Sequence, residues 1–342
     1  MATILILGAG VMGSALAVPA ADNGHRVLLA GTPLDAEPVA RMKRPGGVHP
    51  KLDQPLPSSV EILADEEVTP DHAAAADLIV VGVSSPGVPW AVARLNGLLR
   101  DKRAIAFVTK GLDRQGDRVV TYVDTLPDRI GAMTSFIGIG GPCIARELAN
   151  RHPTSSIYAS RDRAAAAFAA DLMRTPYYRL AVGEDVRGVE ACAALKNFYA
   201  IGVSAMQTRY LDKARADGQA KNPTAAAFTQ ATTEMAALCE MLGGHRETAF
   251  NLAGIGDLHV TVGGGRNSRL GHLLGVGRVV SDAMSRELAG ETVEGVDTAR
   301  TLATMMQGSA TPRERFPLAF AILDAVLSDR PLSFRFEELT FA

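Results

Sequence analysis

Thr3-Ile4-Leu5-Ile6-Leu7-Gly8-Ala9-Gly10-Val11-Met12-Gly13, followed by Ser14 to Asn23 with apolar residues at helical spacing, is the stretch that decides the fold. It reads as a strand, a tight turn and a helix. A G-x-G-x-x-G is weak alone, but between strand and helix each glycine has a reason to be there. The first permits the turn, the second lets backbone approach a pyrophosphate, and the third allows close helix–sheet packing. The helix N-terminus then faces the anion. Gly8, Gly10, Val11, Met12 and Gly13 are therefore expected to hold a dinucleotide, against the alternative of a glycine turn with no ligand.

Working outward, Arg26 to Ala30 reads as the next strand, and Leu78 to Val83, Ala104 to Thr109 and Phe136 to Gly140 as further ones. Each follows a segment long enough to cross back over a sheet, the alternation of a doubly wound parallel α/β domain. From about Val186 the texture becomes helical: Val189 to Gln207, Pro223 to Leu242, Arg269 to Leu274, Ser281 to Ala289, Val296 to Gln307 and Pro317 to Leu327. A boundary inside Thr175 to Arg187 is expected, giving a dinucleotide-binding domain over 1–185 and an all-helical substrate-binding domain over 186–342.

The 342 residues, 47% of them hydrophobic, suffice for two cored domains. Lys+Arg number 35 against 37 Asp+Glu, with no run of like charge, so no nucleic-acid or acidic-membrane footprint is expected and a small-molecule partner is. Cys143, Cys192 and Cys239 form no C-x-x-C, which argues against a disulfide framework or zinc–thiolate site, and no His motif suggests a metal. Met1 to Gly13 lacks the basic start of a signal peptide, and no apolar run reaches the roughly 18 residues of a membrane helix. A cytoplasmic protein without integral membrane contact is expected.

An acid some 20 residues beyond the glycine turn usually meets a ribose 2'-hydroxyl; that place holds Gly31-Thr32. Thr32, with Arg41, Lys43 or Arg44, offers an alternative home for a 2'-phosphate, so NADP is expected as readily as NAD. The same basic residues also read as a solvated turn. Ser84 and Ser85 end another strand, where open parallel sheets place ligands, or else cap the next helix. Gly140-Gly141-Pro142-Cys143-Ile144-Ala145 follows a strand with Pro near a helix start, either bordering a cofactor or simply beginning that helix.

Lysine is scarce, seven against 28 arginines, and Lys196 lies in the mostly apolar helical run Glu190 to Ala200. Burial lowers a lysine's pKa, which is how lysine becomes a general acid or base near neutrality; the alternative is snorkelling at a helix edge. Lys110 follows the Ala104 to Val108 strand, where a second cation suits an anionic substrate. Asp257 and Thr261, four apart, share a helix face, and Asp257 either holds Lys196 or caps its helix. Gly263-Gly264-Gly265-Arg266-Asn267-Ser268 runs glycine-rich backbone into a helix, with Arg266 suited to phosphate and Asn267 or Ser268 to capping. His259 reads as structural.

Taken together, Gly8-x-Gly10-x-x-Gly13, Thr109-Lys110-Gly111-Leu112, Gly141-Pro142-x-x-Ala145-x-Glu147, Leu195-Lys196-Asn197, Gly254-x-Gly256-Asp257-Leu258-x-x-Thr261, Arg266-Asn267 and Val293-Glu294-Gly295 resemble sn-glycerol-3-phosphate dehydrogenase. The motifs follow the family's order across nearly the whole chain, and Gly82-Val83-Ser84 and Gly263 to Asn267 look closest to archaeal-type members. The resemblance implies a Rossmann domain plus an all-α domain of the 6-phosphogluconate-dehydrogenase-like kind, and NAD(P)H-dependent reduction of dihydroxyacetone phosphate. It implies Lys196 as proton donor, with Lys110, Asn197, Asp257 and Thr261 around the reacting end and Arg266 and Asn267 on the phosphate. It also implies Glu294, Arg266, Lys110 and the backbone at Ala145 near the cofactor, and a homodimer. Two departures stand out: Thr229-Gln230 where the family usually has Thr-Arg, and Val296-Asp297-Thr298 after Gly295. They motivate the alternative of a dehydrogenase for another short polyol or sugar phosphate on the same scaffold.

Overall fold

The computed structural model describes residues 1–211, 218, 220–308 and 312–341. Within them the strands are β1 (Thr3–Leu7), β2 (Arg26–Ala30), β3 (Val60–Leu63), β4 (Leu78–Val81), β5 (Arg103–Phe107), β6 (Asp113–Gln115), β7 (Arg118–Val120), β8 (Met133–Gly140), β9 (Thr154–Ala159) and β10 (Tyr178–Gly183). Eight form one sheet in the order β10-β9-β8-β5-β4-β1-β2-β3, while β6 and β7 pair as a separate hairpin. β1 lies inside the sheet, and Ile4 to Leu7 are fully buried, as a strand covered on both faces requires.

The doubly wound sheet is parallel except at one pairing. β9 runs antiparallel to β8, with Gly138 opposite Ala159, and then carries β10 in parallel at the edge. Part of the segment read as a boundary is thus strand.

The chain divides into two compact units, residues 1–110 with 123–189 and residues 111–122 with 190–342. A single cut after residue 185 does not describe this, because Gly111–Tyr122 leaves the first unit for the second. The hairpin is held there by packing of β7 against a helix of that unit and by the Arg114 guanidinium, which donates to the Arg300 carbonyl at 3.1 Å.

In the first unit the helices are α1 (Val11–Asp22), α2 (Ala36–Met42), α3 (Pro70–Ala75), α4 (Val88–Leu98), α5 (Leu126–Arg129), α6 (Ala145–Ala149) and α7 (Arg163–Met173). Every residue of α1 from Gly13 to Ala21 is buried, and α6 packs on it. The second unit is built from α8 (Val186–Arg209, from Glu190 onward), α9 (Lys221–Met241), α10 (Asp257–Val262), α11 (Arg266–Gly275), α12 (Val280–Ser285), α13 (Glu294–Gly308) and α14 (Pro317–Ser328). Leu195, Phe198, Tyr199, Leu238, Phe316 and Ile322 lie in its core. No helix among the described residues is long and apolar enough to cross a membrane.

Candidate active site

Steric demands at the glycine turn are those of a dinucleotide cradle. Gly8 sits at φ +111°, and a Cβ there would lie 2.9 Å from the Gly82 carbonyl oxygen; one on Gly13 would lie 1.9 Å from that of Gly8. Above Gly10 there is open space. Gly10 is also the N-cap of α1, with no side-chain cap and no acid in the first turn. The first-turn amides have no intrahelical acceptors, so the turn offers donors and room for an anion. These residues fit a pyrophosphate.

After β2 the structure changes the reading of Gly31-Thr32. The Asp35 carboxylate folds back through a short turn, and its Oδ2 accepts from Thr32 N at 2.9 Å and Ala9 N at 3.2 Å. An acid therefore does stand at this place. The Thr32 hydroxyl accepts from Leu34 N at 3.2 Å, completing a capping box, and Lys43 pairs with Glu67. Thr32-x-x-Asp35 is a capping-box spacing that was visible in the sequence.

Neither serine after β4 caps a helix. Ser84 makes no side-chain cap bond, and Ser85 Oγ donates to the Lys110 carbonyl at 2.8 Å, fastening the end of β5's loop. Lys110, Met12, Gly140, Gly141 and Cys143 line one small cavity of about 10 Å³ within the first unit. Pro142 precedes α6 rather than entering its first turn; the N-cap is Ile144, and Ala145 begins the helix, buried.

In the second unit Lys196 is buried, 6% exposed, on α8. Its Nζ donates to Asp257 Oδ1 at 3.0 Å and to Thr261 Oγ1 at 2.7 Å, and Thr261 donates on to the Asp257 carbonyl at 2.7 Å. The capping alternative for Asp257 fails because Gly256 is the N-cap of α10. An ammonium is thus held by a carboxylate and a hydroxyl one helical turn apart, the geometry that the four-residue spacing predicts.

The next residue extends the network. Asn197 Oδ1 accepts from Asn267 Nδ2 at 3.0 Å, and Asn267 Oδ1 accepts from Gly295 N at 2.8 Å. Arg266 pairs with Glu294. Helices α8, α10, α11 and α13 therefore bring together Lys196, Asn197, Asp257, Thr261, Arg266, Asn267 and Glu294. Asn267, expected as a phosphate ligand or cap, does not cap α11 but ties it to α8 and α13, which leaves one amide hydrogen for a ligand. Gly265 is the N-cap of α11 and receives no side-chain bond, while Ser268 Oγ donates to the Val262 carbonyl at 3.1 Å. His259 packs edge-on against Phe228, a structural contact.

Of the two departures, Gln230 is fully buried on α9. It donates to Glu234 at 2.8 Å, and its Oε1 accepts from Thr340 N and Phe341 N, each at 3.1 Å. Asp297 sits near Arg300 at 3.6 Å, with its pKa raised by partial burial.

A dinucleotide cradle in one unit and a helical unit carrying a buried Lys–Asp–Thr cluster define the class of nicotinamide-dependent dehydrogenases. Residues 3–166 match the N-terminal domain, and residues 185–332 the C-terminal domain, of NAD-dependent glycerol-3-phosphate dehydrogenase. The chain belongs to that family and is an NAD(P)-dependent oxidoreductase. It is 37% identical over 303 residues to the NADP(+)-dependent glycerol-3-phosphate dehydrogenase of Archaeoglobus fulgidus, covering 86% of this chain and 87% of the relative. It is 33% identical over 302 residues to the glycerol-3-phosphate dehydrogenase [NAD(P)+] of Azotobacter vinelandii, covering 87% and 83%. The glycerol-3-phosphate dehydrogenase of Coxiella burnetii superposes with a TM-score of 0.80 at 28% identity, covering 96% of both chains.

Proposed function

We propose that this protein reduces dihydroxyacetone phosphate to sn-glycerol 3-phosphate with NADH or NADPH, Lys196 being the general acid. The buried Lys196–Asp257–Thr261 cluster carries the reading, because it holds a protonated amine where the family match extends through the helical unit. A bound reduced nicotinamide supplies the hydride. Lys196 delivers a proton to the ketone oxygen as C2 becomes tetrahedral, neutralising the alkoxide. Asp257 and Thr261 hold the ammonium in place between turnovers. Arg266 binds the substrate phosphate, exchanging or sharing Glu294, while Asn267 orients Asn197 beside the reacting end. Lys110 supplies the second cation, and Gly8 to Gly13, Thr32, Ser84, Ala145 and Glu294 serve the cofactor. A homodimer in the cytoplasm completes the proposal.

Gln230 and Asp297, which motivated the alternative substrate, each have a partner inside the helical unit. The test is the initial rate of dihydroxyacetone phosphate reduction with NADH and NADPH side by side. Turnover of this ketone faster than of longer phosphorylated ketones is expected; no faster turnover would refute the substrate assignment.

A further inference from the structure

We propose that Asp35 is a positioning residue for cofactor binding, tying the glycine turn to the turn after β2. The inference rests on the placement of the cofactor at Gly8 to Gly13 proposed above.

One carboxylate oxygen of Asp35 serves two amides far apart in sequence, Ala9 N at 3.2 Å and Thr32 N at 2.9 Å. Ala9 lies between Gly8 and Gly10, a stretch whose only side chain is a methyl group, so the turn has no long side chain of its own to anchor it. On one side Gly8 N donates to the Ala30 carbonyl at 2.8 Å; Asp35 secures the next amide. The anchor is itself fixed. Gly31 N donates to the Leu63 carbonyl at 2.9 Å, pinning the start of the β2 turn to β3, and the Thr32 hydroxyl holds Leu34 N. An unbroken set of contacts therefore runs from β3 through Gly31, Thr32 and Asp35 to Ala9, one residue before the N-cap of α1.

The physical consequence is preorganisation. A charged acceptor shared by two amides holds more strongly than a neutral one. Without it the most freely rotating part of the turn must be ordered when the dinucleotide binds, which weakens binding. The turn meets the pyrophosphate, common to both nicotinamide cofactors, so the loss falls equally on NADH and NADPH. A carboxylate acting instead by repelling a 2'-phosphate would behave oppositely toward the two.

Fluorescence titration of wild type, Asp35→Ala and Asp35→Asn with NADH and NADPH, alongside steady-state kinetics, tests this. Asp35→Ala is expected to raise both Kd values about tenfold in parallel, the loss of one charge-assisted anchor. Asp35→Asn, which keeps an acceptor oxygen, is expected to recover part of the loss and carries the test if the alanine variant does not fold. At saturating cofactor, kcat and the KM for dihydroxyacetone phosphate are expected within about twofold of wild type, because the anchor acts on cofactor binding alone. Unchanged Kd values, opposite shifts for the two cofactors, or a fall in kcat at saturation would each overturn the proposal. Failure of the wild type to bind either cofactor would instead remove the cradle reading beneath it, and the proposal with it.

Discussion

Two buried polar clusters hang from the same helix, and they differ in what neutralises their charge. On α8, Lys196 leads to Asp257 and Thr261, while Tyr199, three residues on, leads to Glu234. In the first cluster a cation meets an anion. In the second, one carboxylate is surrounded by neutral donors: Tyr199 OH at 3.1 Å, Gln230 Nε2 at 2.8 Å, Leu318 N at 2.9 Å and Ala319 N at 2.8 Å. Burial pushes the Glu234 pKa up to about 7 despite those bonds. Glu234 is 1% exposed and staples the start of α14 to α9 and α8, whereas the lysine cluster continues through Asn197 into Asn267, Gly295 and the Arg266–Glu294 pair. A perturbed pKa alone would point to Glu234; the partner set separates a carboxylate that fastens a helix from the ion-paired lysine proposed to move a proton.

The sharpest way to break this contrast is to remove each charge in turn. Lys196→Met is expected to lower kcat about a thousandfold while leaving the Kd for NADH unchanged, within the usual range for a lost general acid. Glu234→Gln should leave kcat within a few-fold; a larger loss there would erase the distinction. Asp257→Asn comes next. It leaves a buried ammonium without its carboxylate, and urea unfolding is expected to show about 4 kcal/mol of lost stability, as for other broken buried pairs. A loss below about 1 kcal/mol would mean that Asp257 is not the counter-ion the distances suggest.

The contrast also explains which parts of the molecule were legible in the sequence. β1, the glycine turn and α1 could be read because a short apolar run, fixed glycine spacing and helical periodicity are local signals. β9 and β10 could not: Thr154-Ser155-Ser156 and the Arg179 in β10 interrupt the apolar run, and their pairing is set by distant strands. Gly111–Tyr122 follows β5 in sequence yet packs with α13, a choice made by contacts such as Arg114 to Arg300. Lys196, Asp257 and Thr261 were readable from an isolated lysine and a four-residue spacing. Asn267 was named only as a phosphate ligand or helix cap; its joining of α11 to α8 and α13 is fixed by groups on other helices and left no local signal.

Titration sharpens the comparison further. The folded pKa of Glu234, about 7, lies above its ordinary value of 4.5. The folded state therefore holds this proton more tightly, so the group stabilises the protonated fold relative to the ionised one. That advantage is fully present below about pH 4.5 and is lost as the pH rises toward and through 7. The shift corresponds to about 3 kcal/mol. Measured from pH 5 to pH 8, the stability of wild type relative to Glu234→Gln is expected to fall by roughly that amount; a constant difference would show that Glu234 titrates normally.

The smallest expected effect concerns the family departure at Gln230, which joins the Glu234 cluster to the C-terminal segment. Its amide both donates to Glu234 and accepts from Thr340 N and Phe341 N, so one neutral side chain does what a cation could not, because an arginine offers no acceptor. Gln230→Ala should speed hydrogen exchange at those two amides and cost about 1 kcal/mol in urea unfolding, the net worth of a hydrogen bond or two. The KM for dihydroxyacetone phosphate should stay within about twofold, since Gln230 belongs to the Glu234 cluster rather than the Lys196 cluster proposed to react. A raised KM with unchanged exchange would move Gln230 to the substrate side of the comparison and reopen the case for a different phosphorylated ketone.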